Sequence, residues 1–150
     1  EAAGAAILDE VAAVTALVEA NASEVTERRT PETWTALEYA CHLRDVLLVQ
    51  RERVLEARRV DRPQPPPMGR DERVDLDGYA DQDPVAVARQ LADAAALFAN
   101  VLTRVGDDDA WGRTLVYNYP TPSERNLRWV AVHTLHEARH HAGDVRAQLG

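Results

Sequence analysis

The chain has 150 residues, enough for one domain with a real hydrophobic core and no need of covalent staples. Its formal net charge of -8 argues against a nucleic-acid binder, which would need a basic stripe. A single cysteine, Cys41, excludes an intrachain disulfide and mildly favours a reducing compartment, and no apolar run approaches the length of a bilayer span.

The alanine-rich start carries Asp9, Glu10 and Glu19, so it does not read as the core of a signal peptide. A cytoplasmic protein without membrane contact is the default expectation. From Ala5 to about Val25, Ile7, Val11, Val14, Val18 and Val25 recur at helical spacing. Leu8 and Leu17 lie on the shoulders of that stripe, and Thr30-Pro31 ends it. A second helix is expected to begin at Thr30-Pro31 or Thr33 and to run to about Arg58. Trp34, Leu37, Cys41, Leu48, Arg51 and Leu55 describe its apolar side. His42 shares another face with Glu38, Asp45, Val46 and Val49. The mixed charges of Arg51 to Arg59 read as a solvated face. The prolines of Arg62-Pro63-Gln64-Pro65-Pro66-Pro67 lack amide donors and exclude a helix interior, so 61–82 reads as a long connection. Connections of that length are uncommon and serve as binding walls or surface crossovers. Leu76 and Tyr79 are the residues expected to pin it to the body.

Asp83-Pro84 has the form of a helix cap followed by proline, and a third helix follows to about Val105. Its stripe is Val87, Leu91, Ala94, Phe98, Val101, Leu102 and Val105. The triplet Asp107-Asp108-Asp109 lacks the spaced ligands of a calcium loop and reads as a turn. Residues 111–119 lean toward extended structure. Thr121-Pro122-Ser123-Glu124 is expected to open the fourth helix. Four periodic segments and three cap-plus-proline starts predict an all-α four-helix bundle in a single domain, residues 1–150, with a long crossover between the second and third helices.

The fourth segment holds four of the five histidines within nine residues: His133, His136, His140 and His141. On a helix, residues four apart share a face, so His133 pairs with Glu137, Glu137 with His141, and His136 with His140. Two donors one turn apart, completed by a third from another helix, are a common divalent-metal arrangement. His42, the isolated fifth histidine, is the natural third ligand. Asp45 and Asp144 are carboxylates that could orient ligand histidines from behind.

The run Trp34-Thr35-Ala36-Leu37-Glu38-Tyr39-Ala40-Cys41-His42-Leu43-Arg44-Asp45 resembles the second-helix motif of the DinB/YfiT-like superfamily of metal-dependent four-helix bundles. The run from His133 to Gly143 resembles its C-terminal histidine motif, where a small residue and a glycine follow the last ligand. The resemblance implies His42 as the second-helix ligand, and His141, followed by Ala142-Gly143, as the last one. One turn earlier, where most of the family has histidine, stands Glu137, and a glutamate there resembles the mycothiol-dependent maleylpyruvate isomerase branch. His140 and His136 are the alternate ligands.

The implied activity is that of a divalent-metal enzyme, with zinc or nickel holding a low-molecular-weight thiol such as mycothiol or bacillithiol as a thiolate. That thiolate would be transferred to, or would isomerise, a small electrophilic substrate. Asp45 is the expected carboxylate or proton relay beside His42, and Cys41 is expected to pack in the core. Two alternatives stand beside this: a metal-dependent hydrolase, and a non-catalytic protein in which the site clamps helices or binds a small molecule. A homodimer is an open expectation.

Overall fold

The computed structural model describes residues 2–150. Four long helices, α1 (Ala2–Ala20), α2 (Ala36–Arg59), α4 (Pro84–Thr103) and α6 (Leu127–Leu149), form the bundle. Between them lie the short helices α3 (Arg70–Leu76) and α5 (Asp108–Gly112) and a two-stranded sheet, β1 (Thr114–Tyr117) and β2 (Ser123–Asn126). Packing runs in a ring: α1 lies against α4 and α6, and α2 also lies against α4 and α6. The first two long helices are therefore diagonal to one another, as are α4 and α6, so the connections 21–35 and 104–126 cross the bundle while 60–83 joins neighbours. This topology makes α2 and α6 direct neighbours, which brings the two histidine-bearing segments together.

Each helix is fixed by its sequence in a local way. The aliphatic stripe of α1 is fully withdrawn from solvent at Ile7, Val14 and Val18. Asn21 ends α1, its side-chain amide donating back to the Leu17 carbonyl at 2.8 Å. The next segment is pinned by buried Val25, whose carbonyl accepts from the Leu37 amide at 3.0 Å. Helix α2 starts at a reciprocal cap: the Glu38 amide donates to Thr35 Oγ1 at 3.1 Å, and the Thr35 amide donates to Glu38 Oε2 at 2.7 Å. That satisfies two amides which helix geometry leaves without partners. In α4, Asp83 caps the Ala86 amide at 2.8 Å and Pro84 occupies the first turn, as the sequence predicts. Contrary to the expectation from sequence, α4 is long and apolar enough to suit a bilayer by length and composition, but its stripe from Val87 to Leu102 is buried against α1 and α2.

Several boundaries differ from the sequence expectation: α1 ends at Ala20, not near Val25, and α2 begins at Ala36, not at Thr30-Pro31 or Thr33. The fourth long helix opens at Asn126, whose side chain accepts from the Trp129 amide at 2.9 Å, and not at Thr121-Pro122. Ser123–Asn126 instead pairs antiparallel with Thr114–Tyr117, so the extended connector has a partner strand. The connection after α2 contains a helix of its own, Arg70–Leu76, and a turn of 3₁₀ helix at Tyr79–Asp81. Tyr79 is fully buried and pins this connection, whereas Leu76 is exposed. The stripe of α2 also has a different phase. Leu43, Leu47, Val54 and Ala57 are buried, while Leu48 lies at the surface. In its first three turns α2 is buried nearly all round, because α4 and α6 both pack on it.

The proline run is an extended strap, not a loose loop. The Val116 amide donates to the Pro63 carbonyl at 2.9 Å, and the Asn118 side chain donates to the Pro65 carbonyl at 2.7 Å. Prolines cannot continue a helix but leave their carbonyls free to accept, which is how the strap is held.

Candidate metal centre

His42 sits in the second turn of α2, and His141 lies on the buried stripe of α6 together with Thr134, Ala138 and Val145. Their rings meet edge to face, with centroids 4.6 Å apart. His42 is 2 % exposed and His141 3 %. Burial at that level demands partners for the ring nitrogens. Two are missing: among the described residues, His42 Nδ1 and His141 Nε2 have no hydrogen-bond partner. The other nitrogen of His141, Nδ1, lies 2.9 Å from Asp144 Oδ2. A carboxylate there fixes the ring orientation and leaves Nε2 as the free lone pair.

Glu137, one turn before His141, puts Oε2 3.6 Å from His141 Nε2. Two ligands held about 2.0–2.1 Å from a tetrahedral zinc stand roughly 3.3 Å apart, so this separation suits a shared cation. The Glu137 carboxyl is held below its usual range, first by its interaction with His141. Burial pushes His42 down to about 3, with His141 and Arg70 adding to the effect. His42 is therefore neutral at physiological pH, and a neutral imidazole is the form that binds metal. The surroundings are aromatic: Trp34 meets His42 edge-on at 5.2 Å, and Tyr39 stacks on His141 at 5.9 Å.

The remaining histidines differ in depth. His136 and His140 are exposed and stack loosely on one another at 6.3 Å. Among the described residues, His140, His141 and Asp144 form the compact donor group, each offering one atom within 4.8 Å of the others, a spacing that His42, Glu137 and His141 do not meet. His133 is half-buried, stacked on Trp129 at 4.4 Å, with Nε2 3.9 Å from Glu137 Oε1. Burial lowers its pKa.

Asp45 does not stand behind His42. Its oxygens accept from Tyr79 at 2.7 Å, Arg44 at 2.8 Å and Arg73 at 3.2 Å, an assembly that fastens the crossover to α2. The carboxylate that orients a site histidine is Asp144. Cys41 is buried, and its thiol is pushed up to about 12 by that burial, which leaves it without nucleophilic character at neutral pH.

A cavity of about 390 Å³ opens beside the histidines, lined by His42, Glu137 and His141, by Gln50 and Arg53 farther along α2, and by Tyr117 next to His133. Its outer wall is the strap and the start of α3, from Pro67 to Glu72. Volumes of this order accommodate small organic ligands. Arg53 and Gln50 are the residues that the sequence reading missed, since both fall beside or inside a charge-rich stretch read as solvated. Both are buried, Arg53 at 7 % exposure and Gln50 at 1 %. The available signal was helical phase: Arg53 lies eleven residues from His42, very close to three turns, and so returns to the same face.

Comparison with known proteins agrees with this architecture. The chain is similar in fold to YfiT from Bacillus subtilis, described as a probable metal-dependent hydrolase with an unusual four-helix bundle topology. The TM-score is 0.83 at 16 % identity, covering 97 % of this chain and 83 % of that one. No curated protein sequence matches it. The model of the DinB superfamily matches residues 8–145, a span that takes in all four bundle helices and both histidine segments. The chain belongs to the DinB superfamily.

Proposed function

We propose that this protein is a divalent-metal enzyme whose cation is held by His42, Glu137 and His141, and that it acts on a small molecule in the adjoining cavity. The single observation that carries the reading is the pair of buried, unpartnered imidazole nitrogens on rings in contact, beside an ionised carboxylate. An orphaned buried polar atom is costly, and two of them on rings whose centroids lie 4.6 Å apart are explained by a ligand that draws both toward it. The rival set is His140, His141 and Asp144, in which His140 is exposed and Asp144 already lies 2.9 Å from His141 Nδ1. Zinc and nickel both suit two imidazoles and one carboxylate.

When bound, such a cation supplies Lewis acidity: it polarises a carbonyl or phosphoryl oxygen and makes a water or thiol easier to deprotonate. The protein's own contributions can be named. Asp144 holds the orientation of His141. Trp34 and Tyr39 pack against the rings and exclude water from their edges. His133, uncharged and in the cavity wall near Glu137, is placed to accept a proton during the reaction. Hydrolysis is the reading favoured by the likeness in fold to YfiT. Transfer or isomerisation through a small thiol such as mycothiol is the second reading, favoured by Glu137 standing where the family more often has histidine.

The test is paired. The metal-loaded protein is assayed against ester, amide and phosphoester panels, and separately for thiol consumption with mycothiol or bacillithiol and an electrophile. Activity in the first panel that disappears in Glu137→Ala, along with the metal, supports hydrolysis. Thiol-dependent turnover with no hydrolysis selects the second reading. Activity surviving in a metal-free Glu137→Ala protein, checked by elemental analysis, would overturn both.

A further inference from the structure

The part of the cavity around Arg53, three turns along α2 from His42, has a chemistry of its own. Arg53 is almost wholly buried, yet among the described residues no carboxylate lies within 4.0 Å of it. The acidic residues of the same cavity, Asp71, Glu72 and Glu137, do not pair with it. Its guanidinium reaches only two weak acceptors, Gln50 Oε1 and the Pro66 carbonyl, both at 3.3 Å, and it lies over the Tyr117 ring at 4.8 Å. Among the described residues its Nε is buried without a hydrogen-bond partner. Both bonds are longer than the usual 2.9–3.0 Å, and neither acceptor carries charge. A buried cation without a counter-charge is strongly unfavourable. Such a group is retained where an anion completes it, and the planar guanidinium fork matches a carboxylate with two parallel hydrogen bonds.

The geometry between the two ends gives the shape of the ligand. The backbones of His42 and Arg53 lie about 16 Å apart along one face of α2 at 1.5 Å per residue, while the Arg53 guanidinium reaches over Tyr117, whose ring is 5.4 Å from that of His133. Val46 and Val49 line the cavity between them, with Met68 opposite on the strap. A bound molecule would thus meet imidazoles and a carboxylate at one end, an apolar middle, and an uncompensated cation at the other end.

We propose that Arg53 is the anion-recognition residue of this cavity, and that the protein's substrates are small carboxylates: molecules with a carboxylate at the Arg53 end, a short apolar body, and the reacting group against His42, Glu137 and His141. The last part rests on the metal reading above; the role of Arg53 does not.

The experiment therefore reads the two separately. The probes are adipic acid monohydroxamate and its twin in which the free carboxylate is a primary amide, titrated calorimetrically into zinc-loaded and chelator-stripped protein. Native protein is expected to bind the carboxylate about tenfold or more tightly than the amide, in both forms, as charge-assisted hydrogen bonds imply. Arg53→Met should erase that preference while leaving the affinity for the amide and the zinc content unchanged. Should Arg53→Met fail to fold, Arg53→Gln reads the same contrast. Equal affinity of native protein for the twins, or a preference that survives in the variant, would overturn the proposal. Loss of the hydroxamate's zinc-dependent gain, with the carboxylate preference intact, would overturn only the metal reading.

Discussion

His42 shows how much one buried side chain can control. In the metal-free protein its pKa is about 3, against an ordinary 6.5. Between those values the unfolded chain binds a proton that the folded chain refuses, so stability rises with pH across that window and falls on acidification below about 6.5. The contribution approaches one proton, ~1.4 kcal/mol per pH unit. Urea unfolding of metal-free protein at pH 5 and pH 7 should thus show a steeper loss for the native chain than for His42→Gln; equal slopes would show that His42 is not kept neutral by the fold. Arg53 gives the opposite kind of prediction. Exchange of an uncompensated buried cation for an apolar group of similar size is often neutral or stabilising. Without ligand, Arg53→Met should melt at or above the native temperature, and a fall of several degrees would mark Arg53 as a structural cation. Sequence alone made His42, Glu137 and His141 legible as candidates, because titratable groups at helical spacing are few. It could not show that Asp45 turns away toward Tyr79, since that depends on where the crossover docks. Nor could it separate His141 from its neighbours by depth: His140 is exposed and His141 buried, a difference of one residue in helical phase.

At the scale of elements, the site depends on how α2 begins and on what covers it. The Thr35–Glu38 cap lies seven residues before His42, and Glu38 also receives Arg28 at 2.8 Å. Thr35→Ala should lower stability by about 1 kcal/mol, as loss of a helix cap does, measurable as a shift in the urea midpoint with unchanged steepness. No shift would mean that tertiary packing alone sets the start of α2. The cap-plus-proline pattern located α4 correctly, yet the same pattern at Thr121-Pro122 marked the approach to a strand. A proline one residue after a threonine suits a first helical turn and an extended segment equally. What decided between them was long range: Thr114–Tyr117 was available to pair. The proline strap was recognisable as non-helical from composition, but its role as the cavity's wall came from hydrogen bonds to residues more than fifty positions away.

For the whole molecule, the ring of packing places α1 diagonal to α2 and leaves α2 beside α6. Four amphipathic segments were enough to read an all-α bundle, because each buries one stripe; the order of helices around the bundle was not, because similar stripes fit several orders. That order matters for function, since it alone lets a histidine from the second long helix meet one from the last. A cation bridging α2 and α6 should add to stability with the logarithm of its free concentration once that exceeds the dissociation constant, as any ligand of the folded state does. The account rests most heavily on which donors take that cation. The direct measurement is zinc stoichiometry by elemental analysis after equilibrium dialysis, for the native chain, His42→Ala and His140→Ala. The account predicts about one zinc per native chain, about one in His140→Ala, and none in His42→Ala. Full occupancy in His42→Ala together with loss in His140→Ala would contradict it and assign the metal to His140, His141 and Asp144.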